Sequence, residues 1–258
     1  MSASLERILA RDRVAVLSGL VAIAALSWAY MGYLAWQMQG MDPQMAAVQA
    51  QSWRLTDLTL LFVMWAVMMV AMMIPSAAPM VLTYAAIRRK RHATERPLAP
   101  TAWFLAGYIG VWTGFSVLAT AVQWGLHEAA LLSPMMVSAS SALGGLLLVA
   151  AGIFQWTPLK RACLKRCRSP LGFLLADWQE GNAGALRMGL EHGSYCVGCC
   201  WALMALLFVA GVMNLLWVAA IAGFVLLEKL APAGPWIGRV GGLALVGWGV
   251  WLLTSTLL

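Results

Sequence analysis

Residues 58–87 read LTLLFVMWAVMMVAMMIPSAAPMVLTYAAI, and the whole run contains no Asp, Glu, Lys or Arg. A helix needs about 20 mostly apolar residues to cross the hydrocarbon core of a bilayer. This segment is long enough on its own, so it decides the class of fold. Working outward, six further segments have comparable character: about Val14–Trp36, Ala102–Leu126, Val137–Trp156, Gly193–Val212, Leu215–Leu230 and Ile237–Leu257. The expectation is an all-α, polytopic transmembrane helix bundle of about seven spans, forming a single integral membrane domain over residues 1–258. The first segment exceeds the roughly 7–15 apolar residues of a signal peptide, and no small-residue cleavage site follows it, so it reads as a retained helix.

Composition excludes the alternatives. The chain is 62% hydrophobic and 10% charged, against roughly 25% charged in soluble domains. So few charges cannot cover a soluble surface, and disordered chains are poor in apolar residues. The net charge of +7 does not point to nucleic acid, because the basic residues fall in short runs between apolar segments. With the N-terminus in the cytoplasm of an inner-membrane protein, 16 of the 17 basic residues fall inside. These include Arg7, Arg11 and Arg13, the run Arg88–Arg91 with Arg96, and Lys160, Arg161, Lys165, Arg166, Arg168 and Arg187. Only Arg54 falls outside. The positive-inside rule therefore favours an inner N-terminus and an outer C-terminus.

Small residues suit close helix packing: Gly107, Gly110 and Gly114 in the third span, Gly144, Gly145 and Gly152 in the fourth, and five glycines after Trp236. The stretch Ser169–Met188, SPLGFLLADWQEGNAGALRM, is too polar to span. It reads as a cytoplasmic interfacial amphipathic helix that breaks at Gly181-Asn182.

Chemistry points to sulfur. Cys163 and Cys167 form C-x3-C in a basic loop, and Cys196, Cys199 and Cys200 form C-x2-C-C in an apolar segment. At 3.6 residues per turn, Cys199 and Cys200 lie about 60° and 40° to either side of Cys196. His192 and Met204 extend the same face, and Met188 continues it. Thiolates clustered in a reducing compartment imply a metal or a redox relay rather than structural disulfides. In the second span Met64, Met68 and Met72 form one stripe and Met69 and Met73 another, with Met80 beyond Pro75 and Pro79. The two prolines are expected to interrupt that helix. Outside lie Met38, Met41, Met45, Met135 and Met136 with His127 and Glu128. Thioethers outside and along the span, with thiolates inside, suit inward transfer or capture of Cu(I).

These blocks resemble a bacterial family of metal-binding integral membrane proteins. The resemblance rests on MMVAMMIPSAAPM (Met68–Met80), CLKRCRSP (Cys163–Pro170) and GLEHGSYCVGCCWALM (Gly189–Met204). It implies metal binding, with copper as the ion and a chaperone-like or transfer role, and so a metallochaperone or metalloenzyme recipient as partner beside the lipid bilayer.

Two other readings stand. Cys196 and Cys199 at a helix N-terminus would suit a membrane thiol-disulfide oxidoreductase, because the helix dipole favours a thiolate there. A structural or assembly subunit with a Cys-bound zinc is the other. No P-loop is present, three histidines are too few for a haem or di-iron bundle, and Glu228, Lys229, Asp177 and Glu180 read as interfacial charges that support no acid–base catalysis.

Overall fold

A computed structural model describes residues 3–39, 54–92, 97–129 and 141–255. Their regular structure is helical throughout: α1 (Ala3–Gln39), α2 (Leu55–Arg91), α3 (Leu98–Glu128), α4 (Ser141–Phe154), α5 (Pro158–Cys167), α6 (Pro170–Ala176), α7 (Gly181–Ala205), α8 (Leu207–Ala210), α9 (Leu215–Leu230) and α10 (Gly234–Ser255).

Among the described residues, five segments are long and apolar enough to cross a membrane: Ala10–Gln37, Leu55–Arg91, Leu98–Glu128, Gly181–Val209 and Gly234–Ser255. The expectation of about seven spans is not confirmed at two segments. The first is α4, which turns through 66° into α5, and the bent pair counts as one span at most. The bend has a local cause. Pro158 starts α5 without an amide donor, and Thr157 before it is extended at ψ 148°, the backbone that a following proline imposes. The Thr157 hydroxyl caps the new helix by accepting from the Lys160 amide at 3.3 Å. The second is α9, which has 16 residues and reaches only about 24 Å at 1.5 Å per residue.

The prolines of α2 do not interrupt it. The helix runs unbroken for 37 residues with Pro75 and Pro79 inside. Pro75 deprives the Ala71 carbonyl of its helical donor, and the Trp28 indole of α1 supplies one at 3.1 Å. A neighbouring helix thus satisfies the freed group, as the hydrocarbon interior requires.

The amphipathic stretch also divides differently. α6 ends at Ala176, residues 177–180 form the break, and Gly181 begins α7 at φ +76°. That left-handed conformation favours glycine, so Gly181 starts the helix that carries His192 and the thiols instead of ending one. Three ion pairs then gather the basic runs at one end of the bundle: Asp12 with Arg89, Arg88 with Glu180 at 2.8 Å, and Arg166 with Asp177 at 3.3 Å.

Glycine pairs set how closely the helices approach. A Cβ on Gly107 of α3 would strike the Leu186 carbonyl of α7, and one on Gly189 of α7 would strike the Phe104 carbonyl of α3. Gly145 with Gly249, and Gly152 with Gly242, do the same for α4 and α10. Gly114 and Gly247 meet nothing, so the expectation of packing does not extend to every glycine.

Candidate metal centre

α3 and α7, held together by Gly107 and Gly189, place Tyr108 against the cysteine face of α7. Cys196, Cys199 and Cys200 are all buried, as are His192 and Met204. The Tyr108 hydroxyl lies 3.0 Å from the Cys196 sulfur and donates to the Met73 carbonyl of α2 at 3.3 Å. The Cys199 and Cys200 thiols donate back to the Cys196 carbonyl at 3.1 and 2.9 Å.

The second cysteine pair arrives on α5. Its Cys167 side chain packs against the buried cluster that holds the Cys196 and Cys199 sulfurs. Cys163 rests on Gly198, where a Cβ would come within 2.8 Å of its sulfur. The bend at Pro158 is what lays α5 across α7.

Met64, Met68, Met69, Met72, Met73 and Met204 share one buried cluster with Cys196, Cys199 and Cys200, and Cys163 and Cys167 pack against it. Met80 does not join them. It belongs with Met188, Tyr84, Phe104 and Phe173 in a second cluster. His192 lies between aromatic rings, 5.4 Å from Tyr108, 6.2 Å from Phe104 and 5.9 Å from Phe173, and its Nδ1 has no hydrogen-bond partner. Met41, Met45, Met135 and Met136, with the Met38, Arg7 and Arg96 side chains, lie outside the described residues.

A sequence profile of a family described as PpoB2, copper chaperone, matches residues 62–252 of the 258. The chain belongs to the PpoB2 copper chaperone family. No curated protein and no solved structure matches it. The PpoB2 match begins inside α2 and ends inside α10, so it takes in every sulfur just described and leaves out α1.

The structure also supplies a residue the sequence reading placed elsewhere. Lys229 is not interfacial. It is 7% exposed, and its Nζ donates to the Cys196 sulfur at 2.9 Å and to the Ser76 hydroxyl at 3.1 Å. Glu228 is buried too, paired at 2.7 Å with Lys160, which also donates to Gln155. A signal for both was present. Glu228 and Lys229 close an apolar run too short to cross, so their end of the helix lies inside the bundle, where ionisable residues mark function.

The helix N-terminus assumed for Cys196 is likewise corrected. α7 begins at Gly181, about 22 Å before Cys196 at 1.5 Å per residue. The dipole acts within the first turn, so it does not activate these thiols. Among the described residues no group of three or more His, Cys, Asp or Glu side chains is placed to hold a metal ion. The thiols are instead packed on one another, with the Lys229 ammonium against one of them. Outside the helical bundle core, Glu180 accepts from the Trp178 indole at 2.7 Å and pairs with His92 at 3.0 Å. The Trp178 hydrogen bond holds its carboxyl below the ordinary value; burial opposes it, and His92 and Arg88 add to the lowering.

Proposed function

We propose that this chain binds Cu(I) within the membrane and transfers it, with Cys196, Cys199 and Cys167 as the principal ligands. Cys200, Cys163, His192 and Met204 border them, and Met64, Met68, Met69, Met72 and Met73 lead to them. One observation supports the reading: the α7 thiols lie in the same buried cluster as the α2 methionines, and Cys167 of α5 packs against that cluster. Thiolate and thioether donors select Cu(I) among the first-row ions, and Cu(I) is content with two thiolates, so it does not need the ready-made polygon that zinc does. Lys229 fits the same reading. A buried ammonium is stable only beside an anion, and a thiolate at Cys196 would supply it. Met80, placed in the other cluster, is not part of the proposed set. The cluster sits toward the basic end of the bundle, which the positive-inside rule puts in the cytoplasm of an inner-membrane protein.

The thiol oxidoreductase reading loses its helix-dipole argument once Cys196 is four turns inside α7. The zinc reading keeps only the thiols and makes no use of the methionines.

Elemental analysis of protein purified under reducing conditions tests the proposal. Copper at one equivalent per chain is expected, and its loss in a Cys196→Ser/Cys199→Ser variant. Equal copper in both proteins, or zinc in place of copper, would reject it.

A further inference from the structure

α3 carries a second line of polar side chains that the thiol site does not use. Taking 100° per residue, Tyr108, Trp112, Ser116, Gln123 and His127 fall within an arc of about 100°. Two hydrogen bonds fix where that arc points. The Trp65 indole of α2 donates to Gln123 Oε1 at 2.6 Å, and Tyr108 donates to the Met73 carbonyl of α2. The arc therefore faces α2 between Trp65 and Met73, the stretch that holds Met68, Met69 and Met72.

This seam is polar in a place where polarity is costly. Ser116 is 0% exposed and Gln123 1%. The Ser116 hydroxyl donates to the Trp112 carbonyl at 2.8 Å and keeps acceptor capacity on its oxygen. Trp112 is 1% exposed, and its indole N–H has no hydrogen-bond partner. A buried donor of that kind calls for a water partner. From His127 to Tyr108 the line covers about 28 Å of helix, close to the roughly 30 Å of the hydrocarbon core. One end lies at the Cys196 thiol. The other lies at the end of the bundle opposite Arg88–Arg91.

We infer that the seam between α2 and α3 is a transmembrane route for a soft monovalent cation, entering at the His127 end and discharging onto Cys196. One wall supplies hydroxyl and amide oxygens for the water that accompanies the ion. The other supplies the Met68, Met69 and Met72 thioethers, which bind it weakly and release it. The inference rests on the proposed thiol site and adds crossing to binding: the chain conducts the ion across the bilayer.

The two claims separate experimentally with silver(I), a soft monovalent probe. Detergent-solubilised protein reports binding. Vesicles containing glutathione and the reconstituted protein report crossing. Wild-type vesicles are expected to accumulate silver above protein-free ones, and Ser116→Leu, which fills the seam, to cut the rate at least tenfold while the silver bound in detergent stays the same. No accumulation by wild-type vesicles, or an unchanged rate for Ser116→Leu, overturns the route and leaves the binding site standing. Absence of silver from the solubilised wild type removes the binding site itself. A near-isosteric Ser116→Cys variant guards against misfolding, since a thiol in the route retains one additional silver per chain. No additional silver there also overturns the route.

Discussion

The Lys229 ammonium stands 2.9 Å from the Cys196 sulfur, joining the end of α9 to the middle of α7. Lys229→Met keeps the length and apolar stem of the side chain and removes the charge that favours a thiolate. We expect copper retention to weaken at least tenfold, on the order of 1.4 kcal/mol, and Lys229→Arg to recover part of it. Competition against a Cu(I) chelator measures both, and retention equal to wild type in Lys229→Met would assign the lysine a purely structural role.

The five cysteines are expected to differ in weight. Cys196→Ser removes the sulfur that Lys229 and Tyr108 both touch and should abolish copper binding. Cys199→Ser and Cys167→Ser should each lower affinity strongly. Cys163, seated against Gly198, should tolerate serine with less than a threefold change. The same chelator titration ranks them, and a Cys163 variant weaker than the Cys167 variant would contradict the geometry.

Lys160 and Glu228 are each 2% exposed and pair at 2.7 Å. Removing one partner of such a pair leaves a buried charge and costs about 3–5 kcal/mol. Glu228→Ala should therefore lower the melting temperature in detergent sharply, whereas Lys160→Met with Glu228→Leu should restore most of it. A double variant as unstable as the single one would show that the cost comes from packing.

Trp28→Phe uncovers the Ala71 carbonyl, and an unsatisfied buried group costs about 1–3 kcal/mol. Pro75→Ala returns an amide to that carbonyl. Trp28→Phe should then be less damaging in the Pro75→Ala background than in wild type, which a double-mutant cycle of melting temperatures resolves. Equal costs in both backgrounds would separate Trp28 from the proline.

Glu180 has its carboxyl held below the ordinary value, first by Trp178 and then by His92. A depressed acid stabilises the fold above its unfolded value, and that contribution disappears as pH falls through the folded value. The Arg88–Glu180 contact at the end of α2 should thus be intact at neutral pH and loosen only below the ordinary carboxylate range. Glu180 is half exposed, so the effect is small. Hydrogen exchange at residues 177–181 against pH should show an acid step that Glu180→Gln lacks.

Hydropathy alone made the long helices legible. Residues 58–87 could be nothing else, and the face joining His192, Cys196, Cys199 and Cys200 followed from helical spacing. What spacing within one helix cannot reveal is which other helix covers that face. Lys229 and Tyr108 come from two different helices and meet Cys196 only through packing, and Ser76 of a third is joined to it through Lys229. The prolines misled for the same reason. Pro75 breaks a hydrogen bond within α2, but the replacement donor to the Ala71 carbonyl is Trp28, 43 residues before Ala71. Met80 was grouped with Met64–Met73 because it follows them in sequence. Two further turns of helix carry it past the thiols and into contact with a different set of aromatic side chains.

The short helix α5 is fastened at two places. Lys160 near its start is tied to Glu228, and Cys167 at its end packs against the cluster of α7 thiols, about 10 Å apart along a stiff rod. Lifting the rod about the Thr157–Pro158 elbow would pull both fastenings at once, so the sulfur cannot swing away while the ionic tether stays closed. Moving Cys167 away from the α7 thiols and breaking the buried Lys160–Glu228 pair are then expected to be a single mechanical event.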